Sequence, residues 1–149
     1  MRSLVRSIGI ALGVLTLASV QNASAQITST VEFTTSFPFT VGNTTVPAGN
    51  YTIRPDDDNP QILELTGKNT SVLFQTDVAT ERETPSKTEL VFSRYGGSNY
   101  VLKNIWVEGS NSGVETTPVE GERHAAKHPG EKGEQRVAAR KKSNRSNGQ

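Results

Sequence analysis

The sequence predicts an all-β fold, a small antiparallel β-sandwich or barrel of about seven strands. Short runs rich in Val, Ile, Thr and aromatic residues recur between Ser29 and Val107, broken by Gly, Pro, Asn and Asp. No window in that region sustains a helical apolar period over three turns. Every aromatic residue lies between Phe33 and Trp106, and large apolar side chains nearly vanish after Val107. A chain that buries little apolar area cannot offset its ordering entropy. The core is therefore expected within Ile27 to Val107.

Taken in order, the strands are predicted at Ser29–Thr35, Phe37–Val41, Asn50–Arg54, Gln61–Thr66, Ser71–Gln75, Glu89–Tyr95 and Tyr100–Val107. The first reads as an exposed edge able to pair with another copy. The second ends at Gly42 and Asn43, residues that tolerate positive φ. "VPAG" then fits a type I turn, with Pro47 at its second position and Gly49 at its fourth. "NYTIR" alternates, with Tyr51 and Ile53 on one face and Thr52 and Arg54 on the other. The last two strands form a hairpin around Gly97-Ser98, a two-residue primed turn. That register pairs Tyr95 with Tyr100, Val91 with Asn104 and Leu90 with Ile105. Strict alternation sets Val91, Tyr95, Tyr100, Leu102 and Trp106 on one face, opposite Leu90, Phe92, Val101, Ile105 and Val107. After Val107, "EGSNSGVETTP" reads as loop. Thr117 as cap, Pro118 and Glu120 predict one short helix over Pro118–Lys127, weakened by Gly121.

The N-terminus reads as a secretory leader over residues 1–25. Arg2 and Arg6 precede the apolar run Ile8–Val20, and Ala23 and Ala25 give the A-x-A exit. Cleavage is expected between Ala25 and Gln26. The run is shorter than the about 20 apolar residues of a spanning helix, so no transmembrane segment is expected after cleavage. The chain has no cysteine, which excludes disulfides, metal thiolates, thiol catalysis and a lipid anchored through cysteine. The protein is expected in the periplasm or outside the cell.

Charge divides the mature chain. Lys and Arg number 8 against 13 Asp and Glu from Gln26 to Lys127, a net of −5, whereas 6 against 2 give +4 from His128 to Gln149. The division predicts a β-rich domain over 26–127 and a disordered basic tail over 128–149. Arg136, Arg140, Lys141, Lys142 and Arg145 suit an anionic surface. No aromatic residue interleaves them, so nucleic acid is not expected.

"FPFTVGNTTVPAGNYTI" followed by "ELVFSRYGGSNYVLKNIWVEGSNSGVE" resembles a group of small secreted bacterial proteins. They share an F-x-V-G-x4-P-A-G-x-Y entry and an L-V-F-x-x-Y-G hairpin ending in Ile/Val-Trp. The likeness covers about Val31 to Ala126. It implies a β-rich exported domain and carries over no catalytic residue. The long basic tail and Gly121 depart from the pattern.

Reactive constellations are sparse. His124 and His128, the only histidines, stand four apart, but the position after the first is Ala125, where zincin chemistry needs Glu. No G-x-S-x-G stretch is present. Asp56, Asp57 and Asp58 supply oxygens of the kind calcium takes, without the EF-hand spacing, and the question of calcium stays open. Asn43, Asn50 and Asn69 open N-x-S/T triplets, which matter only in a glycosylating host. No catalytic residue, cofactor or metal site is assigned. Tyr51, Tyr95, Tyr100 and Trp106 are the rings that would stack on sugars or anchor a partner if exposed.

The sequence therefore reads as an exported, non-enzymatic β-domain with a structural or interaction role in the cell envelope or the extracellular space. An envelope polysaccharide or another protein would be its partner. The alternative is a carbohydrate-binding module using exposed aromatics, and a small hydrolase comes third. An outer-membrane barrel is set aside, because runs of five to eight residues fall short of the about 9–11 per strand that a lipid-facing band needs.

Overall fold

Alternation decides which side chains each strand turns inward. The computed structural model describes residues 27–80, 83–119 and 132–142. Within them the strands run β1 Thr30–Thr35, β2 Phe39–Val41, β3 Thr44–Val46, β4 Gly49–Pro55, β5 Ile62–Gly67, β6 Thr70–Thr80, β7 Glu89–Tyr95, β8 Asn99–Trp106, β9 Ser112–Thr116 and β10 Lys132–Lys142. The all-β expectation holds, and each of the seven predicted strands is present. β1 buries Val31, Phe33 and Thr35 and turns Glu32 and Thr34 outward. β4 buries Tyr51 and Ile53 between outward Thr52 and Arg54.

The sheet closes on itself. The order β8-β7-β10-β1-β4-β5-β6-β9 returns to β8 through a β8–β9 pairing. All of these contacts are antiparallel. Closure leaves β1 between β4 and β10, so it is not the exposed edge that the sequence suggested. The interior is filled with apolar side chains: Val31, Ile53, Leu63, Leu65, Leu90, Phe92, Leu102 and Ile105 have 0% exposure.

The β2–β3 hairpin branches off this ring and fills one end. β2 runs parallel to the start of β8, with Phe39 opposite Tyr100 and Thr40 opposite Val101. Gly42, at φ +56°, makes the tight turn to β3 that an L side chain there would strain. Phe39, Val41 and Val46 drop into the core. The Phe39 ring meets Phe92 edge-on at 5.1 Å, Tyr51 edge-on at 5.4 Å and Phe33 at 6.1 Å. Beyond it Phe37 stacks on Tyr100 at 4.1 Å and meets Phe92 edge-on. The Tyr51 hydroxyl donates to the Pro47 carbonyl at 2.5 Å, which fixes the link from β3 into β4.

The β7–β8 hairpin corrects the predicted turn. Tyr95 pairs with Asn99, not Tyr100, across the three-residue loop Gly96-Gly97-Ser98, with φ +49° and +71° at the two glycines. The predicted pairs Val91–Asn104 and Leu90–Ile105 are present, and the register shifts between Val91 and Phe92. Lys103 is the extra residue of this bulge. A bulge resets alternation, so Leu102 and Ile105 both face the core although strict alternation puts them on opposite faces.

Two further corrections concern the C-terminal part. "SGVET" is strand β9, not loop; Val114 is buried and Thr116 Oγ1 donates to the Leu102 carbonyl at 2.6 Å. Lys132–Lys142, expected within a disordered tail, is strand β10. Its residues Lys132–Ala138 pair with β7 and Ala139–Lys142 pair with β1, and no residue belongs to both ladders. Composition misleads here because the flanking strands supply backbone partners and the closed core. β10 adds only the half-buried Val137 and Ala139 to that core. The helix expected over Pro118–Lys127 falls largely outside the described residues, and Pro118 and Val119 are not helical. The leader, the junction at Ala25 and Gln26, and the rest of the tail also lie outside them.

Candidate functional site

With the interior packed, contact chemistry lies on the outer wall. Where the β1–β10 ladder stops at Phe33–Ala139, the next residues in register, Thr34 and Ala138, are not a ladder pair. At this opening lies a groove of about 600 Å3, lined by Glu32, Thr34, Asn50, Thr52, Ala138 and Arg140 and floored by Phe33 and Tyr51. These are the outward residues of β1, β4 and β10, and alternation makes all but the floor polar or small. Thr34 Oγ1 donates to Asn50 Oδ1 at 2.6 Å across β1 and β4. Lys142 Nζ sits 3.1 Å from Glu32 Oε1 at one end. Arg140 stands exposed at the wall and has no ion-pair partner among the described residues. The groove offers hydroxyl, amide and guanidinium groups to a polar, extended ligand.

The outer face continues through a fixed polar contact. Arg54 Nε donates to Glu64 Oε2 at 2.8 Å, and Ser71 Oγ donates to Glu64 Oε1 at 2.8 Å. The Ser71 hydrogen bond first, then the Arg54 hydrogen bond, hold the Glu64 carboxyl below its ordinary value. Glu64 in turn raises the Arg54 guanidinium. Both carboxylate oxygens are engaged, so Glu64 is a cross-strand tie and not a free base.

The aromatic residues singled out from sequence do not converge on this groove as ligand platforms. Tyr51 and Trp106 are buried, at 5% and 6% exposure. Tyr51 lies in the aromatic cluster and lends the groove only its floor. Trp106 packs against Gly113, where a Cβ would collide with the indole and with the Ile105 carbonyl oxygen. Tyr100 is half-buried in its stack on Phe37. Tyr95 is half-buried on the β7–β8 hairpin beside Ser93, Arg94 and Lys103.

The aspartate stretch is organised as a turn. Asp56 Oδ1 accepts from the Asp58 and Asn59 amides at 3.1 and 3.0 Å, and Asn59 Oδ1 accepts from the Gln61 amide at 3.0 Å. This is the Asx-turn use of such side chains. No group of three or more acidic or histidine side chains converges for a metal among the described residues. His124 and His128 lie outside those residues. No helix among the described residues is long and apolar enough to cross a membrane.

The sequence reading missed the groove because β10 was read as disordered. The legible signal was the alternation Val137, Ala139 against Arg136, Ala138, Arg140 within the basic run. Comparison with protein-family models, curated proteins and solved structures returns no match.

Proposed function

We propose that this chain is an exported, non-enzymatic barrel domain that acts by contact, as a structural or interaction element of the cell envelope or the extracellular space. The packed interior carries the reading. Barrels that hold a small ligand keep a chamber within the ring, whereas here inward side chains from β1, β4, β5, β7 and β8 fill it. Recognition is then left to the outer face, where the groove at Thr34, Asn50 and Arg140 is the site for a polar partner. Export rests on Arg2, Arg6, the Ile8–Val20 run and the Ala23-x-Ala25 exit. Ile27, two residues past that exit, is buried in the core. The resemblance to small secreted bacterial proteins points the same way. Burial of Tyr51 and Trp106 removes two of the rings on which the sugar-binding alternative relied.

The test is retention of the purified chain from Gln26 to Gln149 on isolated envelope and on insoluble polysaccharides, at low and high salt. Retention that Arg140→Glu with Asn50→Ala abolishes supports the reading and places the contact at the groove. Absence of retention on every matrix at both salts overturns it. A tail truncation is not a usable control, since it removes a barrel strand.

A further inference from the structure

The last strand is held unlike its neighbours. An interior strand of a sheet is normally bonded along both edges, but β10 changes partner partway. Its residues pair with β7 up to Ala138 and with β1 from Ala139, and the Ala139 amide, which also donates to the Thr88 carbonyl at 2.9 Å, bridges the two. Its apolar contribution is Val137 and Ala139, both half-buried, whereas β1 and β7 bury side chains fully. Its small apolar burial and split ladder make β10 less well anchored than β1 and β7. No disulfide ties it down, because the chain has no cysteine.

What β10 leaves behind is selective. Release would expose the edges of β1 and β7 around an apolar interior, a surface that takes an extended strand. The two edges carry acids that meet bases of β10: Glu89 with Arg136, and Glu32 with Lys142. The segment with the matching register, inward Val137 and Ala139 and both bases is β10 of another copy. The connection from Thr117 to Glu131, about 15 residues, spans at most about 50 Å when extended, enough to reach a neighbouring barrel.

We propose that β10 is an exchangeable strand, and that the slot between β1 and β7 is a self-association site whose partner is β10 of a second copy. The closed monomer dominates in dilute solution, because a tethered strand has an effective concentration of about millimolar. Exchange becomes populated as protein concentration approaches that value. This inference does not depend on the envelope role.

Ser93 of β7 and Glu134 of β10 are directly opposed, and the cysteine-free chain makes them a reporter pair. Ser93→Cys and Glu134→Cys chains are mixed at about millimolar concentration, held just below the thermal transition, then diluted and oxidised. A disulfide joins them efficiently only where β10 of one copy lies on β7 of the other. The expected heterodimer yield is at least about tenfold above that of Ser93→Cys mixed with Asp77→Cys, whose cysteines are not opposed. A yield at the control level overturns the proposal. Hydrogen exchange on the unmodified protein gives a second reading. The Val137 and Ala139 amides should exchange at least about tenfold faster than those of Ile53 and Leu65. Equal rates would mean that β10 opens only with the whole barrel, and would also overturn it.

Discussion

The Arg136 guanidinium of β10 donates to the Glu89 carboxylate of β7 at 2.5 Å, and the Glu89 side chain is only 8% exposed. The acidic body and the basic tail thus meet within one molecule. Removing one partner of a buried pair leaves an uncompensated charge, which costs about 3–5 kcal/mol when both are buried. Arg136 is 46% exposed and Lys87 Nζ remains 3.8 Å from Glu89, so the loss is smaller. Arg136→Ala is expected to destabilise the barrel by about 1–3 kcal/mol. Glu89→Gln should cost less, because it leaves a half-solvated cation instead of a buried anion. Urea unfolding of both variants checks the order. Equal losses would show that charge burial is not the cause.

Gly113 is set by contact, not by backbone conformation. A Cβ there meets the Trp106 ring and the Ile105 carbonyl oxygen, whereas a Cβ at Gly109 meets nothing within 4 Å. Gly113→Ala should cost about 1–3 kcal/mol by overpacking. Gly109→Ala, at φ +78°, should cost about 1 kcal/mol through its left-handed backbone. Thermal melts distinguish them further, since only Gly113→Ala should perturb Trp106 fluorescence.

Fold class and seven of the strands, β1, β2 and β4–β8, were legible because their side chains carry the period-two signal themselves. Tyr51 and Ile53 against Thr52 and Arg54 need no tertiary context to be read. What escaped depends on neighbours. Thr44–Val46 is too short to show a period. Ser112–Thr116 shows one apolar residue, Val114, and gains its strand from β6 and β8. The bulge at Lys103 is invisible to strict alternation, and it moves Leu102 to the inner face. β10 is a strand mainly because β1 and β7 present open edges. The groove followed β10 out of view, and the exposure on which a contact role for Tyr51 and Trp106 depended is a property of the closed barrel.

Tyr51 predicts an alkaline limit. Burial holds its phenol above the ordinary value, so the folded state disfavours ionisation. Its contribution is complete below the unfolded value of about 10 and is lost as pH rises through the folded value. Tyr51→Phe should flatten the fall in melting temperature above about pH 10. At neutral pH it should lose about 1 kcal/mol with the hydrogen bond to Pro47. Tyrosinate absorbance followed against the unfolding transition measures both.

Glu64 predicts the opposite sign on the acid side. Its folded value lies below the ordinary carboxylate value, chiefly through the Ser71 hydroxyl and then through Arg54. Its contribution is present above the unfolded value and fades as pH falls through the folded one. Ser71→Ala should move the Glu64 titration upward, toward ordinary behaviour, as read by carboxyl carbon shifts in NMR. No movement would mean that Arg54 alone holds the carboxylate.

Phe39 tests whether the β2–β3 hairpin is a plug or an ornament. It belongs to a three-residue strand, and its ring reaches Phe33, Tyr51 and Phe92 on β1, β4 and β7. A large aromatic truncated in a closed core costs about 3–5 kcal/mol, because its surroundings relax only partly. Phe39→Ala is expected in that range, with binding of an apolar dye at the opened end. Phe37 is half-buried and shares one of these ring contacts, Phe92, so Phe37→Ala should cost markedly less. If the two variants lose equal stability, the end is held by the outer stack of Phe37 on Tyr100. If only Phe39→Ala weakens the barrel and admits dye, the short hairpin completes the core that the ring of strands leaves open.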